Sequence, residues 1–246
     1  FGEDNILLSD LVLRMETNNI SDCSLVQSSP YVFRDSLEEN EIQEYLQAGI
    51  CPAGRVTRVE EQYRNLDTRI ISGFDFSTRY FVNSDYGNFN FIVNISKLEK
   101  FRQKAGNDFI ELIDAQEKGI IPEELAITGF SDLIEKDGSP KIQANFKFLW
   151  NRGSWGLGLF GRHIGEFYET RNKLSDGRLW KVKAYNTINT FIDYNFKISG
   201  SQSNLRFGIN NIADERAPLA SDIFGYYIDK HDNLGRSYYI NFIHRY

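Results

Sequence analysis

Long segments of this sequence alternate apolar and polar residues with a period of two. The segment that reads KIQANFKFLW, residues 141–150, has Ile, Ala, Phe, Phe and Trp at its even positions and Lys, Gln, Asn, Lys and Leu at its odd positions. Such alternation puts the two sets of side chains on opposite faces of a β-strand. The pattern recurs in residues 70–82, 88–96, 154–164, 184–196 and 204–210. It predicts an all-β fold of long antiparallel strands.

The connections between these segments alternate strictly between short and long. Short ones are expected at residues 83–87, 151–153 and 198–204, and long ones at about 102–140, 166–181 and 213–235. A soluble β-sandwich also has one apolar and one polar face, but it has no reason to send every long loop to one end. Outer-membrane barrels show this asymmetry, with tight periplasmic turns and long extracellular loops. The pattern therefore favours an antiparallel transmembrane β-barrel.

Composition limits the other classes of protein. The 246 residues contain 41% hydrophobic and 14% aromatic residues, which is too apolar for wholesale disorder. The net charge of -6 argues against a general nucleic-acid binder. The chain begins with Phe1 and has no targeting segment, so it is expected to be a fragment or a processed product.

Catalytic and metal-binding patterns are not evident, and the sequence predicts neither an enzyme nor a cofactor. The three histidines, His163, His231 and His244, are far apart and lack the spacing of metal ligands. Serines do not occur in the Gly-x-Ser-x-Gly context of a hydrolase nucleophile.

Residues 1–53 differ from the rest of the chain and are expected to form an extracellular loop region. A short helix is predicted between Ser36 and Gly49, because acidic residues open this stretch and apolar residues follow at helical spacing. Cys23 and Cys51 flank it. They either form one disulfide, which requires an oxidising compartment, or are two unrelated thiols.

Four stretches of residues 54–246 resemble the TonB-dependent outer-membrane receptors. The stretch LRFGINNIADERAP resembles the penultimate strand of that family, and DNLGRSYYINFIHRY resembles its last strand. YRNLDTRIISGFDFSTRY and FLWNRGSWGLGLFGRHIGEFYE resemble an earlier strand and the hairpin that follows. The matching positions are Asn65, Ser72, Gly73, Asp75, Gly208, Ile209, Asn210, Asn211, Ile212, Asp214, Pro218, Gly235, Arg236, Tyr238, Tyr239 and Tyr246.

The resemblance implies a fold, a location and an activity. Receptors of this family are 22-stranded barrels with an N-terminal plug, so residues 54–246 are expected to supply about seven or eight strands, the C-terminal third of the barrel. The implied activity is active import across the bacterial outer membrane of a large, scarce nutrient, such as siderophore-bound iron, cobalamin, a saccharide or a peptide. The energy comes from TonB–ExbB–ExbD, which acts on the TonB box and plug; neither is expected within this chain.

The resemblance also implies roles for particular residues. The last strand is expected to carry the signal that the barrel-assembly machinery recognises, at Tyr238, Ile240, Phe242 and Tyr246. The lumen side is expected to contact the plug or, as a weaker alternative, the substrate, through Lys141, Lys147, Arg162, Arg206 and Asn210. Lipid and lipopolysaccharide are the expected surroundings.

Two other functions remain open on the sequence alone. A passive porin or a small structural outer-membrane barrel would share the alternation and the loop asymmetry. A soluble, secreted β-sandwich that binds carbohydrate would share the alternation but would not have a band of side chains facing lipid.

Overall fold

The computed structural model describes residues 3–61 and 67–245, which form two compact units. Unit 1 comprises the described residues of Phe1–Arg69 together with Arg102–Ser131. Unit 2 comprises Ile70–Phe101 and Asp132–Tyr246, of which Tyr246 lies outside the described residues. The predicted division at residues 53 and 54 stays a prediction.

Unit 1 combines helices with one small sheet. Its helices are α1 (Glu3–Glu16), α2 (Glu39–Gln47) and α3 (Asn107–Glu117), with a short 3-10 helix at Cys23–Leu25. The strands β1 (Val32–Arg34) and β2 (Val56–Val59) pair antiparallel. Leu8 on α1 packs with Leu112 and Ala115 on α3 and with Ile121, and this cluster forms a small hydrophobic core.

Unit 2 is built on one antiparallel sheet. Its main strands are β3 (Arg69–Ser84), β4 (Gly87–Gln103), β6 (Ile142–Arg152), β7 (Trp155–Ile164), β10 (Tyr185–Ile198), β11 (Ser201–Asn210) and β12 (Ser237–His244). Among the described residues they lie side by side in that order, from β3 at one edge to β12 at the other, and the two-residue β5 (Ser131–Asp132) pairs with β4. The strands β8 (Phe167–Lys173) and β9 (Leu179–Val182) form a separate hairpin. The predicted all-β antiparallel fold is confirmed.

Short and long connections alternate along the described sheet. Two-residue turns join β3 to β4, β6 to β7 and β10 to β11. In the last of these, Ser199 and Gly200 have φ of 49° and 87°, the left-handed values of a turn that matches the twist of a hairpin. The other connections are long. The two ends of the sheet therefore differ, and we call them the short-turn end and the long-loop end.

Helices are the part of the fold that the sequence pattern predicted least well. The helix expected between Ser36 and Gly49 is confirmed as α2, and its first turn is held by a capping box between Glu38 and Glu41. The helices α1 and α3 were not predicted. No helix among the described residues combines the length and the apolar character that crossing a membrane requires.

Candidate functional site

The two faces of the sheet differ in chemistry because the register keeps one parity across neighbouring strands. From β4 to β12, directly paired positions on one face form an uninterrupted apolar row of Phe89, Trp150, Leu157, Ile192, Phe207 and Ile240. The opposite face carries mostly Asn, Lys, Arg, Thr and Gly. On β3, the hydrogen bonds of Asp75 and Ser77 to Ser96 and Asn94 place these residues on the same polar face.

The apolar face is exposed rather than packed against a second sheet. Ile192 is 43% exposed, Phe207 42% and Ile240 74%. A β-sandwich would bury this face in its core. Monomeric soluble proteins in general rarely expose so extended an apolar surface. Lipid is the surrounding that makes such a face favourable.

Three of the four residues of the expected assembly signal lie on this apolar face. Tyr238, Ile240 and Phe242 pair with Ile209, Phe207 and Leu205 of β11. His244 has the same parity, and its Nδ1 lies 2.9 Å from the hydroxyl of Ser203 on β11. That hydrogen bond accommodates a polar ring in an apolar register. Tyr246, like Asn65, lies outside the described residues.

Two aromatic rings between two cations form a row across four strands of the polar face; we call it the aromatic ladder. The Lys147 ammonium lies 5.6 Å from the centre of the Phe160 ring, and that ring lies 5.9 Å from the ring of Phe191. The Arg206 guanidinium lies 3.7 Å from the Phe191 ring and is bonded to Asp193 at 2.7 Å. The distances from Lys147 to the Phe160 ring and from Arg206 to the Phe191 ring are within the range of cation–π attraction.

Glycines on β7 and β11 make room for large side chains of the polar face. A Cβ at Gly158 would lie 2.3 Å from the Phe191 ring, and one at Gly208 would lie 2.2 Å from the Tyr239 ring. Real Cβ atoms do not approach other atoms so closely. The glycine-rich stretch GLGLFG lies within the strand β7 and does not form a phosphate-binding loop.

The structure brings four of the five predicted lumen residues onto the polar face. Lys147, Arg162, Arg206 and Asn210 share it, whereas Lys141 precedes β6 at the long-loop end. Their surroundings differ, because Arg206 is neutralised by Asp193 and Asn210 donates to the Ser237 hydroxyl at 3.2 Å. The Arg162 side chain is exposed and makes no hydrogen bond or ion pair with any residue that the structure describes. Contact with a plug stays a prediction.

The stretch after β11 fixes the long-loop end of the sheet. Asn211 has a φ of 52°; its N–H donates to Asn189 Oδ1 at 2.8 Å, and its side chain bonds the backbone of Glu215 in both directions. Asp214 accepts the N–H of Arg236 at 2.7 Å, and this bond and the nearby arginines lower the pKa of its carboxyl. The motif thus ties the two ends of the 211–236 loop together.

A buried aromatic cluster holds the same loop against the β8–β9 hairpin. His231, 4% exposed, stacks on Phe167 with ring centres 6.1 Å apart and meets the edge of Tyr185 at 5.2 Å. Neither ring nitrogen has a hydrogen-bond partner among the described residues. Burial, and then the charges of Arg162 and Lys230, lower the pKa of His231 to about 4.

Acidification is therefore expected to loosen the 211–236 loop. An unfolded histidine titrates near 6.5, so this histidine's contribution is fully present above about pH 6.5 and is lost as the pH falls towards 4. Hydrogen exchange of the loop amides at pH 7 and 4.5, corrected for intrinsic rates, measures the effect. The His231→Phe variant keeps an aromatic ring but cannot titrate, so its loop should lose much less protection; equal losses in both proteins would contradict the assignment.

In unit 1 the structure joins Cys23 to Cys51 by a disulfide, with Cα atoms 5.5 Å apart. The segment around Cys51 is also held by α1 and the residues after it. Cys51 N–H donates to Asn18 Oδ1 at 2.9 Å, and Arg14 donates to the carbonyl of Pro52 at 2.9 Å. The enclosed loop contains β1 and α2, so a single crosslink restrains both elements.

The exposed apolar face, the polar opposite face and the alternating connections together define the wall of an outer-membrane barrel. Residues 34–212 match the family described as TonB dependent receptor-like, beta-barrel, so the chain belongs to the TonB-dependent receptor family, as predicted. Such receptors serve TonB-dependent transport and are typically found in the bacterial outer membrane. No curated protein is significantly similar to the chain.

Proposed function

We propose that this chain forms part of the wall of an active importer for a large, scarce nutrient, and that it has no catalytic role. The nutrient classes that the family suggests are siderophore-bound iron, cobalamin, saccharides and peptides. In this proposal the apolar face contacts outer-membrane lipid and lipopolysaccharide. The short-turn end lies on the periplasmic side and the long-loop end outside the cell.

The observation that supports this proposal best is the contrast between the two faces of one sheet. A continuous apolar row is exposed on one face, while the other carries a cationic and aromatic strip with a recess at the long-loop end. A polar inner face suits a lumen that holds a plug and a hydrophilic substrate. Lys147 and Asn210, together with the aromatic ladder, are the proposed surface for the plug through which TonB–ExbB–ExbD acts.

Uptake that depends on TonB is the expected result in living cells. Labelled ferric siderophores, cobalamin, oligosaccharides and peptides would be supplied at limiting concentration to cells with and without the receptor gene. We expect one class of nutrient to enter only when the receptor is present, and deletion of TonB to reduce its uptake to the same background, because the plug must be displaced by external work.

A passive porin is the alternative that this experiment separates. Uptake through a porin would be proportional to nutrient concentration and unaffected by deletion of TonB or by dissipation of the proton-motive force. Either observation, made with the receptor present at its normal level in the outer membrane, would contradict the proposal. Re-expression of the complete receptor in the deletion strain is the control.

A further inference from the structure

We propose that a cavity at the long-loop end of the polar face binds an oxyanion, a carboxylate or a phosphate, on a hydroxylated ligand, and that Arg162 is the residue that recognises it. We call it the Arg162 cavity. The inference rests on the proposed function in one respect, namely that the polar face lines the path of the imported nutrient.

The cavity is formed by strands that the register holds together. It has a volume of about 280 Å³, close to the lower end of the range for small-molecule sites, ~300–1,000 Å³. The end of β7, the start of β10 and the end of β11 supply its floor, and the residues just before β12 supply its rim. Its principal lining side chains are Phe160, Arg162, Thr187, Asn189, Asn210 and Asp232.

Arg162 differs from Arg206, another arginine of the polar face, in having unused hydrogen-bonding capacity. The Arg206 guanidinium lies over the Phe191 ring and forms an ion pair with Asp193, whereas the Arg162 side chain makes no hydrogen bond or ion pair with any described residue. Its charge nevertheless reaches the loop, since it helps to lower the pKa of His231. A guanidinium has five donors in a planar fork that matches carboxylate and phosphate oxygens.

The neighbouring polar groups can complete the coordination of a hydroxylated anion. The Thr187 hydroxyl and the Asn189 amide nitrogen make no hydrogen bond with another described residue, and both line the cavity beside Arg162. Asp232 is on the rim and offers a carboxylate oxygen to a ligand hydroxyl. Phe160 supplies an apolar surface for the carbon skeleton.

The walls are fixed by backbone and side-chain bonds, so the cavity exists without a ligand. Asn189 Oδ1 accepts the N–H of Asn211 at 2.8 Å, and the Tyr185 hydroxyl donates to the carbonyl of Asp232 at 2.7 Å. These bonds link the start of β10 to both ends of the 211–236 loop. A preformed donor set loses less entropy on binding than one that must be ordered by the ligand.

The test is calorimetric titration of the complete receptor, in detergent, with three probes. D-glucuronate carries a carboxylate, D-glucose 6-phosphate carries a phosphate, and D-glucose is neutral; the two acids distinguish the possible sources of the oxyanion. We expect at least one acid to bind and D-glucose not to bind measurably. The Arg162→Gln variant should bind the acid with an affinity lower by roughly 10- to 150-fold, which is the effect of losing a charge-assisted hydrogen bond.

Three further variants make the result specific. Arg162→Lys keeps the charge without the fork and should weaken binding less than Arg162→Gln does. Thr187→Val keeps the shape without the hydroxyl and should weaken binding by a smaller factor. Lys197→Gln removes a positive charge from the same face at the short-turn end, and should leave affinity unchanged.

The inference is overturned if neither acid binds, if D-glucose binds as well as the acids, or if Arg162→Gln binds the acids with unchanged affinity. Its failure is distinguishable from failure of the proposed function. If uptake requires TonB but is insensitive to Arg162→Gln, only the proposed role of the Arg162 cavity fails. If acid binding requires Arg162 but uptake does not depend on TonB, the proposal of active import fails and the proposed binding site stands.

Discussion

Replacing Asp10 with Asn is expected to destabilise unit 1 by about 3 kcal/mol, which is at the low end of the range for breaking a buried ion pair. The Asp10 side chain is fully buried on α1, and one of its oxygens lies 2.6 Å from Arg34 Nη2 on β1. The other oxygen accepts the N–H of Ser29 at 2.7 Å. An Asn would keep the shape but leave the guanidinium without its countercharge; because the Arg34 side chain keeps 24% exposure, water offsets part of the loss.

Hydrogen exchange of unit 1 amides in the complete receptor measures this change as a free energy of opening. The matched control is Asp114→Asn on α3, which removes a carboxylate from a solvent-exposed ion pair with Lys118. Little or no change is expected there, because exposed pairs are screened. A second variant, Asp10→Asn with Arg34→Met, removes both charges and should recover part of the stability. Equal effects of Asp10→Asn and Asp114→Asn would contradict the buried-pair explanation.

Removing the disulfide of unit 1 is expected to have an effect of similar size. Cys23 and Cys51 are 28 residues apart, and closing a loop of that length restricts the unfolded chain by roughly 3.5 kcal/mol. The Cys23→Ser, Cys51→Ser double variant should therefore lose protection in β1 and α2. The bonds of Asn18 and Arg14 to the Cys51 segment remain, so the folded arrangement is expected to survive at low temperature.

Hydrogen exchange with and without a reducing phosphine tests this expectation. The reductant should reproduce the loss in the wild-type protein and have no effect on the double variant. The seven main strands of the described sheet are the internal control, because their amides should exchange identically in all samples. Two thiols that can be alkylated in the unreduced wild-type protein would show that the crosslink is absent.

The sheet could be predicted from the sequence because its signal is local. Each long strand repeats its pattern within its own residues, as Phe146, Phe148 and Trp150 do in β6, and parity then fixes which side chains share a face. The placement of Lys147, Arg162 and Arg206 on one face follows from counting along each strand once the strands are aligned.

The helices of unit 1 and the Arg162 cavity depend on information that local patterns do not carry. On α3, Phe109, Leu112 and Ala115 follow every third residue, a signal that is present but short, and their partners on α1 are about 100 residues away. The cavity forms because a long loop brings Asp232 to the same recess as Arg162. The aromatic ladder was missed for a related reason, since its rings are neighbours only between strands.

The simple strand order has a consequence for how this chain folds. Within the described sheet, neighbouring main strands follow each other in sequence, so the most local contacts belong to three hairpins closed by two-residue turns. Such hairpins form on the microsecond scale, ~1–10 μs in peptides, whereas docking one hairpin on the next must first close a long connection. We therefore expect the wall to be laid down in pairs of strands, with β12 added singly after the loop that carries His231. The long loops proposed to face the nutrient would then also limit the rate at which the sheet folds.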